Sequence, residues 1–264
     1  MNTLQAGDAT VEVSPEHGGR VAQINVRGTD LLVSREQFDA PMAWGSYPMV
    51  PWAGRIRNGR FLFQGRWYEL PITMGDHAIH GTGYLDQWTV LDEGRDHVEM
   101  QCSLDWVFGG TAHQHIQLTP VALVCVLSVL AADRAMPATI GWHPWFRTPA
   151  RDRLQFEQMY LRDDAYIPSG ELVPPPARPW DDCFIGAHHP LQLVYPDGPT
   201  VTVSSDCDHW VVFDQLSHAT CVEPQSGPPD AVNLGLASIL APGELLQRTM
   251  TIAWTDGGRP ARAG

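Results

Sequence analysis

The sequence predicts an all-β protein built as a large sandwich of two antiparallel sheets. Short segments alternate apolar and polar residues, and 22 Pro and 24 Gly supply dense turn signals. No window of about 12 residues or more shows the 3.6-residue period of a helix. With 264 residues, of which 44% are hydrophobic, the chain can form one large domain. We expect its core at about 8–255 and a frayed tail at 256–264.

The individual strands follow from alternation and turn chemistry. Alternation predicts early strands at 10–14 and 21–26, and Gln64-Gly65 predicts a tight hairpin between 60–63 and 66–70. The prolines and glycine of 196–199 predict another turn, and 245–254 reads as a late strand. The β-branched run 121–130 predicts a central strand buried on both faces. The proline-rich segment 172–179 fits either a linker between domains or a surface connection; strand-rich sequence on both sides favours the connection.

Composition excludes several classes of function. The net charge of −13 without basic stripes predicts no nucleic-acid or anionic-lipid partner. No apolar run is long enough to span a bilayer, and the first residues lack signal-peptide features, so we expect a cytoplasmic protein. Five scattered cysteines predict neither a disulfide framework nor a zinc ribbon. All 17 basic residues are arginine, which excludes lysine Schiff-base chemistry and a phosphate-binding loop that needs lysine.

Reactive residues concentrate in segments rich in turn signals. Arg55 offers a rigid fork of donors for sugar hydroxyls or an anion, although a lone arginine usually pairs with a surface carboxylate. His80 precedes a Gly-x-Gly turn at a strand end, where a pocket can form. His143 lies between Trp142 and Trp145, and aromatic faces pack against the C–H faces of a pyranose. Each histidine also fits a structural hydrogen-bonded role.

A late acidic segment completes this set. Glu223 ends an apolar strand and enters a Pro/Gly loop. Burial there would raise the pKa of its carboxyl and make it a candidate base, although an ordinary strand-end glutamate fits the same pattern.

These segments, in this order, resemble the aldose 1-epimerase (galactose mutarotase-like) family from about Val11 to Trp254. The matching elements are Arg-Ile, His-Gly, Gly-x-His-Pro-aromatic-Phe, Trp-Asp-Asp and Glu-Pro-Gln. The resemblance implies the galactose mutarotase-like supersandwich, a large antiparallel β-sandwich, with no metal or cofactor. The site residues that it implies are Glu223 as base, His143 as acid, and Arg55, His80 and Asp181 as sugar ligands.

Three details of the resemblance stay open. The adjacent Asp182 leaves the aspartate register uncertain by one residue. Gly54 stands where many members of the family have asparagine, and Pro144-Trp145-Phe146 replaces a longer aromatic-Asn element, so the identity of the sugar is not determined. Trp142 is predicted to contact the substrate because its aromatic face suits a pyranose.

The resulting prediction is an isomerase that interconverts the α and β anomers of an aldose, acting on a small sugar as monomer or homodimer. A hexose-6-phosphate 1-epimerase and a non-catalytic carbohydrate-binding module are the alternatives. Glycoside hydrolysis by Glu223 and Asp181 also remains open. A cupin-like metal site at His113 and His115 is disfavoured because no carboxylate follows it.

Overall fold

The structure, a computed structural model, describes residues 1–196 and 198–255. Asp197 of the predicted turn and the predicted tail at 256–264 lie outside these residues. In the described part, strands dominate, and the α-helix Ala231–Leu234 and two 3-10 turns, Pro15–His17 and Arg57–Gly59, complete the list. The strands, in chain order, are β1 Asn2–Ala6, β2 Ala9–Ser14, β3 Arg20–Val26, β4 Thr29–Asp30, β5 Ser46–Met49, β6 Arg55–Ile56, β7 Arg60–Phe63, β8 Arg66–Glu69, β9 Ala78–Ile79, β10 Thr89–Glu93, β11 His97–Ser103, β12 Thr111–Leu118, β13 Ala122–Leu130, β14 Met136–Ala138, β15 Gly141–Arg147, β16 Arg151–Arg153, β17 Phe156–Arg162, β18 Pro168–Val173, β19 Asp181–Ala187, β20 Leu191–Val194, β21 Thr200–Ser205, β22 His209–Phe213, β23 Ala219–Gln225, β24 Ser238–Leu240 and β25 Leu245–Thr255.

Two large antiparallel sheets form the sandwich, as predicted. The larger sheet has 11 strands in the order β1-β2-β3-β5-β15-β23-β22-β19-β17-β18, with β4 paired to β3. The smaller sheet has eight strands in the order β10-β11-β12-β13-β25-β21-β20-β16. Buried side chains from both sheets form one core, which includes Val11 and Ile24 from the larger sheet and Ile116 and Leu127 from the smaller one.

The predicted local elements are confirmed, with one correction. The hairpin pairs Arg60 with Glu69 and Phe63 with Arg66, and β20 pairs with β21 across the predicted turn. The strand predicted at 121–130 is β13, between β12 and β25. Its burial alternates, however, so only one of its faces is fully buried. The prediction of burial on both faces was wrong because this sheet packs against the larger sheet on one side only.

The larger sheet has apolar side chains on both faces. On β15, Trp142 and Phe146 point into the core between the sheets. Trp145, two residues after His143, lies in a separate cluster with Tyr47 and other side chains from the opposite face. Because successive side chains of a strand alternate between faces, odd-numbered residues of β15 and β23 share this second face. The candidate site lies there.

Candidate functional site

Strand register brings the two predicted catalytic residues together. Gly141 pairs with Gln225 and Trp145 with Cys221, which places residue 143 of β15 opposite residue 223 of β23. His143 Nε2 lies 3.2 Å from Glu223 Oε1. Their side chains are 8% and 2% exposed, so this contact is almost fully removed from water.

Aromatic rings hold the His143 imidazole in place. Tyr47, its partner on β5, stacks on it with ring centroids 4.9 Å apart, and Trp145 stacks on it at 5.1 Å. His80 meets the same ring edge-on at 5.1 Å. The Nδ1 atom of His143 and the hydroxyl of Tyr47 are buried without a hydrogen-bond partner among the described residues.

His80 reaches this cluster from a strained turn. Its φ is +61°, in the left-handed region that non-glycine residues rarely adopt. The backbone N–H of Gly54 donates to His80 Nδ1 at 3.3 Å, so the ring proton belongs on Nε2. Gly54 has φ of +71°, which suits both glycine and asparagine. A Cβ at Gly54 would lie 2.8 Å from Pro229, so this chain requires glycine there.

A partly buried ion pair lies beside the His143–Glu223 contact. Arg55 Nη2 is 3.4 Å from Asp181 Oδ2, and the two side chains are 18% and 14% exposed. Asp182 instead binds Arg162 Nε at 2.6 Å. Asp181 therefore lies in the cluster with Glu223, whereas Asp182 belongs to a neighbouring ion pair, and both aspartates line the adjacent pocket.

Burial changes the proton affinity of the central groups. It raises the pKa of Glu223 well above its usual value, and the negative charge of Asp181 adds to this effect while Arg55 opposes it. Burial lowers the pKa of His143 to about 3, and it lowers the pKa of His80 well below its usual range. Since His143 and Glu223 are in contact, we treat them as a pair that holds one proton.

A pocket opens next to this cluster. It is a shallow depression open to solvent, lined by Arg55, Tyr160, Arg162, Tyr166, Pro168, Asp181, Asp182, Cys183, Val211 and Pro229. The Tyr166 ring packs under the guanidinium groups of Arg55 and Arg162, at 5.0 and 4.2 Å. Arg55 and Asp181 thus belong both to the pocket wall and to the environment of Glu223.

Trp142 lies outside this site. It is 1% exposed in the core between the sheets, and its Nε1–H donates to Gln114 Oε1 at 3.1 Å. The prediction that it contacts substrate was wrong, because Trp142 faces the opposite side of β15 from His143. Trp145, two residues further along the strand, lies on the face of His143 and stacks on its ring.

Sequence reasoning missed other members of the site. Tyr47 and Cys221 reach it through strand pairing, and Tyr160 and Tyr166 line the pocket from β17 and the turn that follows. Alternation around Glu223 would have indicated Cys221 and Gln225 as neighbours on its face. The three tyrosines carry no local sequence signal.

A cation site is geometrically possible within the same cluster. His143, Cys221 and Glu223 each offer a ligand atom, and these atoms lie within 4.8 Å of one another. Burial and the nearby Glu223 raise the pKa of the Cys221 thiol well above its usual value. A cysteine binds a metal ion as the thiolate, and this raised pKa disfavours the thiolate form. The arrangement is therefore better suited to proton transfer.

Comparison with known proteins agrees with this fold. The family described as aldose 1-epimerase matches residues 1–253. The Escherichia coli K12 protein YphB, of uncharacterised function, is 29% identical over 160 residues, which cover 58% of this chain and 54% of YphB. The uncharacterised YihR of the same organism is 30% identical over 276 aligned residues, which cover 90% of this chain and 87% of YihR.

Solved structures show the same architecture. A candidate aldose 1-epimerase from Escherichia coli K12 superposes with a TM-score of 0.85 at 23% identity, covering 96% of this chain and 98% of that one. The galactose 1-epimerase of Lactobacillus acidophilus NCFM superposes with a TM-score of 0.81 at 17% identity, covering 97% and 94%. Among the described residues, the helices are all too short to cross a membrane.

Proposed function

The chain belongs to the aldose 1-epimerase family, and on that premise we propose that it interconverts the α and β anomers of a free aldose. The observation that carries this proposal is the buried contact of 3.2 Å between His143 Nε2 and Glu223 Oε1, beside the Arg55–Asp181 pair. An acid and a base that share one proton are what anomer exchange requires. A cytoplasmic location fits the proposal, because all five cysteines are free and buried.

The reaction needs two proton transfers in each direction. Glu223 takes the proton of the C1 hydroxyl while His143 gives its proton to the ring oxygen, and the bond between C1 and the ring oxygen breaks. The open-chain aldehyde then rotates about C1–C2. Closure runs the same transfers backwards and can give the other anomer. The sugar loses one proton and gains one, so the pair ends ring opening with the same single proton.

The pKa directions favour the end state of ring opening over its starting state. Ring opening starts from the Glu223 carboxylate and the His143 imidazolium, and it ends with both groups neutral. Burial favours the neutral groups over the ion pair, as the raised pKa of Glu223 and the lowered pKa of His143 both show. The resting pair therefore holds its single proton on Glu223, and this proton must pass to His143 across their contact before ring opening begins. Each well-placed acid or base typically contributes about 10²–10⁴ in rate.

The neighbouring groups suit a sugar. Arg55 and Asp181 provide donors and acceptors for hydroxyl groups, and His80, with its proton on Nε2, provides another donor. The sugar must enter from the pocket and separate His143 from Glu223, because these two groups now touch.

The charges around the pocket favour a free aldose over a phosphorylated one. Arg55 pairs with Asp181 and Arg162 with Asp182, and both pairs line the pocket. Arg57 pairs with Asp163 at 2.6 Å instead of converging with Arg55. A phosphate group needs clustered cations, whereas each of these arginines is already neutralised.

NMR exchange spectroscopy on a panel of aldoses and their 6-phosphates tests the proposal. We expect cross-peaks between the α and β anomers of at least one free aldose, well above the uncatalysed exchange in buffer. Exchange restricted to the phosphorylated sugars would identify a hexose-6-phosphate 1-epimerase. Saturable sugar binding without exchange would identify a carbohydrate-binding module and contradict the proposed reaction.

A further inference from the structure

The Glu223 carboxyl group is held at both of its oxygens. Oε1 contacts His143, and Oε2 accepts a hydrogen bond of 3.2 Å from Nε2 of Gln225. Gln225 lies two residues along β23, on the same face, and is 0% exposed. A fully buried amide beside a candidate base affects how readily that base accepts a proton, because a donor stabilises the carboxylate form.

A second polar pair lies directly across from Gln225. Strand β22 pairs His209 with Gln225, so the two side chains are neighbours on one face of the sheet. His209 Nε2 lies 3.2 Å from the hydroxyl of Tyr160, and the two rings stack with centroids 5.7 Å apart. Tyr160 in turn lines the pocket.

Two buried atoms in this group lack partners among the described residues, namely His209 Nδ1 and Gln225 Oε1. Burial lowers the pKa of His209, so its ring is neutral and one nitrogen carries the proton. If the Tyr160 hydroxyl donates to Nε2, that proton belongs on Nδ1. A donor on His209 and an acceptor on Gln225 then face each other across the strand pair, and a side-chain rotation would join them.

Resting on the proposed function, we infer that Gln225 and His209 are positioning residues that complete a hydrogen-bond chain from Tyr160 to Glu223 and set the basicity of that carboxylate. Every donor in the chain points the same way: Tyr160 to His209, His209 to Gln225, and Gln225 to Glu223. The chain approaches Glu223 from the side opposite His143. It therefore holds the carboxylate in place when a sugar enters and displaces the histidine.

Other charged or titratable groups also act on Glu223. His143, Arg55, Asp181, Cys221, Cys183 and Tyr47 all lie on elements packed around it. Near His209, the adjacent Asp208 is the charged group that raises its proton affinity. A change confined to Gln225 leaves all of these groups in place, so its effect on Glu223 can be read separately.

The first test replaces Gln225 with methionine, which keeps the length of the side chain and removes the donor. Hydrogen bonds to charged groups are strong enough that losing one should raise the Glu223 pKa by about one to two units. On the acidic limb of the pH profile, kcat/KM should fall about 10- to 100-fold, whereas at high pH the variant should approach the wild type. Carbon-13 NMR of labelled glutamate, with Glu223→Gln for assignment, reads the same pKa without turnover.

The second test uses His209. His209→Leu should shift the pH profile in the same direction as Gln225→Met, and His209→Asn should restore it because the asparagine amide can donate from the position of Nδ1. Nitrogen-15 NMR of the wild type should show His209 neutral with its proton on Nδ1. These measurements remain informative if one of the variants fails to fold.

The outcomes separate this inference from the proposed reaction. An unchanged Glu223 titration in Gln225→Met, or a His209 proton on Nε2, would overturn the chain. A shifted Glu223 titration supports the chain even if no aldose is exchanged by the wild type, in which case the reaction is wrong and the positioning is right.

Discussion

Replacing Glu223 with glutamine should separate catalysis from stability. The substitution conserves size and removes the ionisable group, and its amide can still hydrogen-bond to His143 across the 3.2 Å contact. Losing a positioned base costs about 10²–10⁴ in kcat, which corresponds to about 3–5 kcal/mol of transition-state stabilisation. Glutamine also removes a carboxyl whose charged form is disfavoured by burial. The folded state should therefore be at least as stable as the wild type near neutral pH.

The sign of the stability effect follows from the raised pKa. A folded-state pKa above the unfolded value gives stability that is present at low pH and is lost as pH rises through the folded pKa. Glu223→Gln should abolish this loss, so its melting temperature should fall less with rising pH. Exchange rates by polarimetry and melting curves by calorimetry measure both quantities. Glu157→Gln is the matched control, since Glu157 is an exposed carboxylate, 67% accessible, on β17.

Two results would refute this reasoning. A well-folded Glu223→Gln protein with kcat within about tenfold of the wild type would remove Glu223 from the chemistry. An equal loss in Glu157→Gln would show that the assay responds to something other than the buried base.

Three further predictions concern other residues. Trp142→Phe should lower the free energy of unfolding by about 1–3 kcal/mol, because the Oε1 atom of Gln114 loses its hydrogen-bond donor. It should leave KM unchanged, and a raised KM would show that Trp142 contributes to substrate binding. Arg55→Met should raise KM about 10- to 100-fold while Arg57→Met changes it little, and equal effects would contradict the sugar-binding role of Arg55. Burial lowers the pKa of His143 from 6.5 to about 3, so the wild type should lose stability relative to His143→Asn as pH drops from about 6.5 to 3. Melting temperatures of the two proteins that change equally with pH would contradict this.

Local sequence patterns predicted the structural features that depend on residues close together in the chain. The Gln64-Gly65 hairpin forms as expected, because a short turn between alternating strands leaves little choice of register. The order of the motifs predicted that His143 and Glu223 belong to one site. The two residues meet because they lie opposite each other on the adjacent strands β15 and β23. The same alternation shows why Trp142 could not share that site.

The site contacts that the sequence did not predict depend on pairing between strands that are far apart in the chain. Tyr47 contacts His143 because β5 lies beside β15. Asp181 and Asp182 are adjacent in sequence, but Asp181 pairs with Arg55 and Asp182 pairs with Arg162. The direct contact of Glu223 with His143 was not predicted either. Glu223 is a carboxylate beside His143 and would favour a charged imidazole. Burial instead disfavours that charge.

The crystal structure of the protein with a bound aldose tests the central claim most directly. We predict that the sugar enters beside Arg55 and Asp181 and separates His143 from Glu223, with the C1 hydroxyl at hydrogen-bond distance from the Glu223 carboxylate and the ring oxygen at the same distance from His143. A sugar bound elsewhere, with the 3.2 Å contact between these side chains still intact, would contradict it.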